Sequence, residues 1–149
     1  MTKADRLADA LDELLTVSPE VEAAAVVSSD GLPMASALPP HVEEDRLAAM
    51  SAALLTLGER AATELGKGEL DQVFIQGPKG HVILMAAGLE SVLVSVTARG
   101  AKVGLVLFEM RRIATRVGAV MRQEMAPPAA PSGLEVMGGT GAASIPSWQ

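Results

Sequence analysis

The sequence predicts an α/β sandwich, one antiparallel five-stranded sheet with helices on both of its faces. Three observations lead there. Apolar spacing switches between helical and strand periods in the order helix, two strands, helix, three strands, helix. The strands come as antiparallel hairpins joined by a helix, which excludes a doubly wound parallel sheet with its crossover between each strand pair. A chain of 149 residues with 49% hydrophobic content is the usual size of one domain and can bury a core.

The elements follow in order. Leu7, Leu11, Leu14 and Leu15 recur at helical spacing among Asp9, Asp12 and Glu13, predicting a helix over residues 3–16 that ends at Ser18-Pro19. Residues 21–28 (VEAAAVVS) predict a strand. Asp30-Gly31 then predicts a type I′ hairpin turn, and residues 32–38 the return strand. Pro33 lacks a backbone donor, which places that strand at an edge. After Pro39-Pro40, a stripe of Leu47, Met50, Leu54, Leu57, Ala61 and Leu65 marks the longest helix, residues 42–65. Glu43, Glu44 and Asp45 load its first turn with the charge the helix dipole favours, and Gly66-Lys67-Gly68 stops it.

Residues 70–76 (LDQVFIQ), the turn Gly77-Pro78-Lys79-Gly80 and residues 81–87 (HVILMAA) predict a second hairpin. A further strand spans 91–98, with Val92, Val94 and Val96 on one side and Ser91, Leu93, Ser95 and Thr97 on the other. The last helix covers 101–124. Val103, Val106, Leu107, Met110, Ile113, Ala114, Val117, Val120 and Met121 form its apolar face, and Arg112 and Arg116 are expected opposite. From residue 126 the composition turns to Pro, Gly, Ser and Ala. The chain therefore divides into a domain of 1–125 and a tail of 126–149, read as a disordered linker with Trp148 near its end.

Composition narrows the chemistry. The net charge is −6 and the chain holds two Phe, one Trp and no Tyr. That average field repels a phosphate backbone, and aromatic stacking platforms are missing, so nucleic acid is not an expected partner. Arg111, Arg112, Arg116 and Arg122 are read as a solvated helix face. With no cysteine there is no disulfide, thiol nucleophile or Cys-based metal site. No run reaches the length of a membrane span, and the N-terminal residues carry no apolar signal core, so no membrane insertion and a cytoplasmic location are expected.

No catalytic, cofactor or metal site is expected. Gly66-Lys67-Gly68 follows a helix instead of opening one, so it is no phosphate loop. His41 and His81 are expected as two surface histidines, and nothing in the spacing makes them converge on a metal with Glu43 or Glu44. No serine sits in a GxSxG elbow.

Three stretches resemble the roadblock/LC7 family, the group of dynein light chains and bacterial MglB-type regulators. They are VVSSDGLPMAS (26–36), the Ala/Leu-rich middle helix, and SVLVSVTARGAKVGLVLFEMRRIATRVGAVM (91–121). The resemblance spans about residues 3–125. It implies a sheet of order 2-1-5-4-3 with the first and last helices on one face and the middle helix on the other. It also implies a homo- or heterodimer in which the middle helices pack together and the third strands extend the sheet.

The residues bear on that dimer. Val73, Phe74 and Ile75 would form an apolar edge without a protecting charge, a hazard unless another strand covers it. The middle helix has a second, small-residue face at Ala48, Ala49, Ala52 and Ala53, suited to a close partner helix or else to the chain's own sheet. The expected dimer interface is Ala49, Met50, Ala53, Leu54, Leu57, Ala61, Val73, Phe74 and Ile75. The resemblance further implies a Ras-like small GTPase as partner, with its GTP hydrolysis stimulated by some members. Glu43, Arg46, Glu59, Arg60 and Glu64 are the candidate contacts. Arg60 could act in trans on a transferring phosphate, although pairing with Glu64 one turn on is the simpler use. The alternatives are a structural adaptor that assembles with other roadblock chains or peptides without affecting nucleotide turnover, and a small-ligand sensor. An absence of polar residues at the expected core positions argues against the sensor.

Overall fold

The computed structural model describes residues 1–125, and the tail expected at 126–149 lies outside them. The elements run α1 (Lys3–Val17), β1 (Val21–Ser28), β2 (Pro33–Ala37), α2 (Glu44–Glu64), β3 (Val73–Gly77), β4 (Gly80–Ala86), β5 (Ser91–Ala98) and α3 (Val103–Met125). The five strands form one antiparallel sheet of order β2-β1-β5-β4-β3. β1, β5 and β4 are thus interior, and β2 and β3 are the edges.

Each interior strand is buried on both sides, and its side chains alternate between two cores. Toward α1 and α3, Val26, Ile83, Met85 and Leu93 meet Leu7, Leu11, Leu14, Met110, Ile113 and Val117. Toward α2, Val27, Leu84, Val92 and Val94 meet Ala48 and Leu55. The alternation of β5 therefore holds as its sequence implies. Its hydroxyls are the departure from the expected all-apolar core. Ser91, Ser95 and Thr97 are buried, and each is hydrogen-bonded. Ser91 Oγ donates to the Ala87 carbonyl at 2.6 Å, Ser95 Oγ to Met110 Sδ at 2.9 Å, and Thr97 Oγ1 accepts from the His81 N–H at 3.2 Å. Paired in this way, the hydroxyls cost the core little.

The first hairpin turns differently from its type I′ expectation. Among the described residues none but glycine has positive φ, so Asp30 does not, whereas Gly31 sits at φ +91°. Gly31 N–H closes the turn on the Ser28 carbonyl, and Ser28 N–H then bonds the Leu32 carbonyl. That is a longer loop with a left-handed glycine after the turn. β2 carries an irregularity as well: Val26 faces Ala35 but Val27 faces Pro33. Proline cannot donate into the ladder there, so the strand slips by one residue.

Thr2 caps α1 in a reciprocal box with Asp5, each contact 3.1 Å. α1 and α3 are tied along their seam by two ion pairs and a hydrogen bond, with a further pair inside α3. Glu13 bonds Arg112 at 2.7 Å and also Arg116, Arg112 bonds Glu109 at 2.9 Å, and Arg6 reaches Gln123. Arg112 and Arg116 are exposed, as expected of a solvated face, and from there they also pair with Glu13 across the α1 seam. The hydrogen bond from Arg112, aided by the nearby positive charges of Arg112 and Arg116, holds the Glu13 carboxyl below its usual value.

A carboxylate lowered in this way stabilises the fold above its unfolded-state pKa, and the contribution is lost as pH falls through the folded value. Arg112→Gln should move the Glu13 titration upward toward an ordinary carboxylate, read by carboxyl carbon NMR, and flatten the acid limb of the stability profile. Gly80 offers a second check. A Cβ there would lie 2.0 Å from the Thr97 carbonyl oxygen, on a backbone at φ +150°. Gly80→Ala should cost about 3 kcal/mol, seen as a lower urea midpoint.

Candidate functional site

α2 lies on its sheet by its small residues. The buried positions are Ala48, Ser51, Ala52 and Leu55, with Gly58 continuing the same flank. A Cβ on Gly58 would come within 2.9 Å of Val73 and 3.1 Å of Leu70, so glycine lets the helix settle against the start of β3. Leu55 is the one large side chain fully buried on this face, and half-buried Leu47 packs against the same core.

The larger apolar residues consequently point away. Met50 is 51% exposed, Leu57 61% and Leu65 74%, while Leu54 stands at 37%. Ala49, Ala53 and Ala61 are exposed beside them, and Leu47 is half-buried. The expected stripe is therefore present, and from Met50 to Leu65 it faces outward, while Leu47 packs toward the sheet. The expected small-residue face divides: Ala48 and Ala52 pack on the chain's own sheet, and Ala49 and Ala53 look outward. Helical spacing puts Leu54, Gly58, Ala61 and Leu65 in one row. Because Gly58 abuts Val73, that row runs along the side of α2 next to β3. Gly58 and Leu65 were not among the expected interface residues, and the i, i+4, i+7, i+11 spacing from Leu54 is the signal that finds them.

β3 is shorter than the predicted 70–76, and its outer edge pairs with no strand among the described residues. Val73 packs into the α2-side core. Ile75 shares its side of the strand and is 39% exposed, and Phe74, 40% exposed, points to the α1/α3 side. There the Phe74 ring stacks on His81 with centroids 5.1 Å apart. His81 is thus not a free surface histidine: it is half-buried, and its buried Nδ1 has no hydrogen-bond partner among the described residues. His41 is exposed.

The candidate polar contacts all lie exposed on or just before α2. Arg46 pairs with Glu43 and Arg60 with Glu64, each at 3.3 Å, and Glu59 lies beside Arg60. Thr56, Glu59, Arg60, Thr63 and Glu64 line a shallow depression on the flank away from β3. Exposed pairs of this kind contribute little to stability and leave the side chains available to a partner. Among the described residues no group of His, Cys, Asp or Glu is placed to hold a metal ion, and no helix is long and apolar enough to cross a membrane. The arrangement offers surface, with no convergence of nucleophile, base and oxyanion donors.

The sequence pattern of the Roadblock/LC7 domain matches residues 7–97. The chain belongs to the Roadblock/LC7 domain family. It is 36% identical over 100 residues to the uncharacterized protein MJ0310 of Methanocaldococcus jannaschii, a match covering 67% of this chain and 87% of that protein. Among solved structures, a Roadblock/LC7 domain from Streptomyces avermitilis is 32% identical, with a TM-score of 0.58 over 74% of this chain and 97% of that one. Myxococcus xanthus MglB is similar at a TM-score of 0.77 with 17% identity, covering 87% and 97%. At that identity the likeness to MglB is one of fold. The Roadblock/LC7 domain here thus carries an outward apolar helix and an open strand edge on the same side of its sheet.

Proposed function

We propose that this Roadblock/LC7 protein is a non-catalytic homodimer whose paired α2 helices bind a Ras-like small GTPase. One observation carries the dimer: α2 turns Met50, Leu54 and Leu57 outward beside the open edge of β3. Burying each such side chain contributes up to about 2 kcal/mol. A two-fold partner covers this surface and the β3 edge together, with Ala49, Ala53 and Ala61 letting the two helices approach closely. The interface is then Ala49, Met50, Ala53, Leu54, Leu57, Ala61, Val73, Phe74 and Ile75, extended by Leu65.

The GTPase is supported by family membership and by the fold shared with MglB, whose type of regulator is associated with such a partner. Glu43, Arg46, Glu59, Arg60 and Glu64 border the apolar stripe and would present charge on both sides of the joined helices. The Arg60–Glu64 pair fits a contact residue better than an arginine waiting for a phosphate, so any stimulation of hydrolysis comes from ordering the GTPase's own catalytic groups.

In sedimentation velocity the full chain should run at twice its 15.3 kDa mass. Leu57→Asp should give a monomer, and Ile75→Lys a monomer or an insoluble protein. Unchanged sedimentation of a folded Ile75→Lys protein removes β3 from the interface. In single-turnover GTP hydrolysis with the cognate GTPase, the wild type should raise the rate and Leu57→Asp should not, whereas Arg60→Ala should retain the effect. Binding that ignores the nucleotide state, with no change in rate, would favour the adaptor.

A further inference from the structure

On the opposite side of the sheet from α2, a groove of about 450 Å³ runs between α3 and the β3–β4 side. Small residues create it. Gly118 of α3 meets Gly88 backbone to backbone, and a Cβ on either would come within 3.1–3.2 Å of the other. Ala114, Gly118, Ala86 and Met85 make an apolar floor, and Arg111, Thr115 and Arg122 rise from the same flank of α3. Eleven residues of helix set the two arginines about 16 Å apart along the groove. Neither forms an ion pair among the described residues. Arg111 makes one long contact, 3.4 Å, to Gln72. Asp71 on the facing wall is the single carboxylate in the lining.

We infer that this groove receives the chain's own segment Leu134-Glu135-Val136-Met137. Within residues 126–149 it is the one stretch where three large apolar side chains fall in four positions, and Glu135 is the only charged residue there. Laid extended, it turns Leu134 and Val136 to one side and Glu135 to the other. That matches an apolar floor with arginines at its rim. The reach is sufficient: α3 ends at Met125, three residues beyond Arg122, and the nine residues to Leu134 span up to about 30 Å. The segment can double back along α3 to any point between the two arginines. The site is separate from the α2 surface, so the inference does not depend on the dimer or on the GTPase.

The chain lacks cysteine, which allows a single nitroxide on Ser132→Cys in the full-length, nitrogen-15-labelled protein. The amide signals of Gly88, Thr115 and Gly118 should broaden selectively. The broadening should persist when labelled chains are diluted into excess unlabelled protein. It should disappear in Arg111→Glu/Arg122→Glu, whose remaining spectrum reports an intact fold, and return when Glu135→Lys is added. Absence of broadening would overturn the inference. So would broadening unaffected by charge reversal, or lost on dilution, which would assign the groove to another copy's segment.

Discussion

The architecture depends on how closely α2 can approach the sheet. Ala48, Ser51, Ala52 and Gly58 bring the helix against β1, β5 and the start of β3, with one large side chain, Leu55, fully buried between them and Leu47 packed at the margin. A helix seated on small residues must carry its bulk elsewhere, and here Met50, Leu54, Leu57 and Leu65 are on the outside. The opposite face is conventional. α1 and α3 bury large side chains on the sheet and are pinned together by the Glu13–Arg112–Arg116 cluster. The domain is thus finished on one side and open on the other, and the open side is where association is favoured.

Much of this was legible in the residues. The alternation of β5, the breaks at proline and glycine pairs, and the heptad-like spacing of α2 place every element within a few residues. Strand order could not be read from period alone, since hairpins leave open which strands become neighbours; the resemblance supplied it. The orientation of α2 was legible in part: Met50, Leu54 and Leu57 were expected at an outward interface and are exposed, whereas the small residues were left between a partner helix and the chain's own sheet. Periodicity identifies two faces but does not say which one a sheet will accept, and the larger apolar stripe is the usual choice. The deciding contact, Gly58 against Val73 and Leu70, joins residues whose adjacency only the fold reveals. The Asp-Gly turn was misread for a local reason: one glycine at positive φ sufficed, and Asp30 was spared.

The candidate site divides in the same way. Its apolar members were recognisable as a stripe and an unprotected strand, because both are patterns within one element. Gly58 and Leu65 were missed, as their role depends on which flank of α2 meets β3. His81 was misjudged because its stacking on Phe74 crosses from one strand to the next. Arg112 and Arg116 were read as exposed, but their ion pairs were missed because the carboxylate partner lies about a hundred residues earlier, on α1. Contacts between elements decide each of these cases.

The central claim, that the outward face of α2 meets its own copy across a two-fold axis, is tested most directly by the distance between equivalent helices. A spin label on Thr63→Cys stands on the flank of α2 away from the apolar stripe, in a chain that otherwise has no cysteine. Pulsed dipolar spectroscopy on the full-length protein should give one narrow distribution on the scale of two adjacent helix diameters, about 20 Å. A signal without dipolar modulation, or only distances far beyond that scale, would contradict the account.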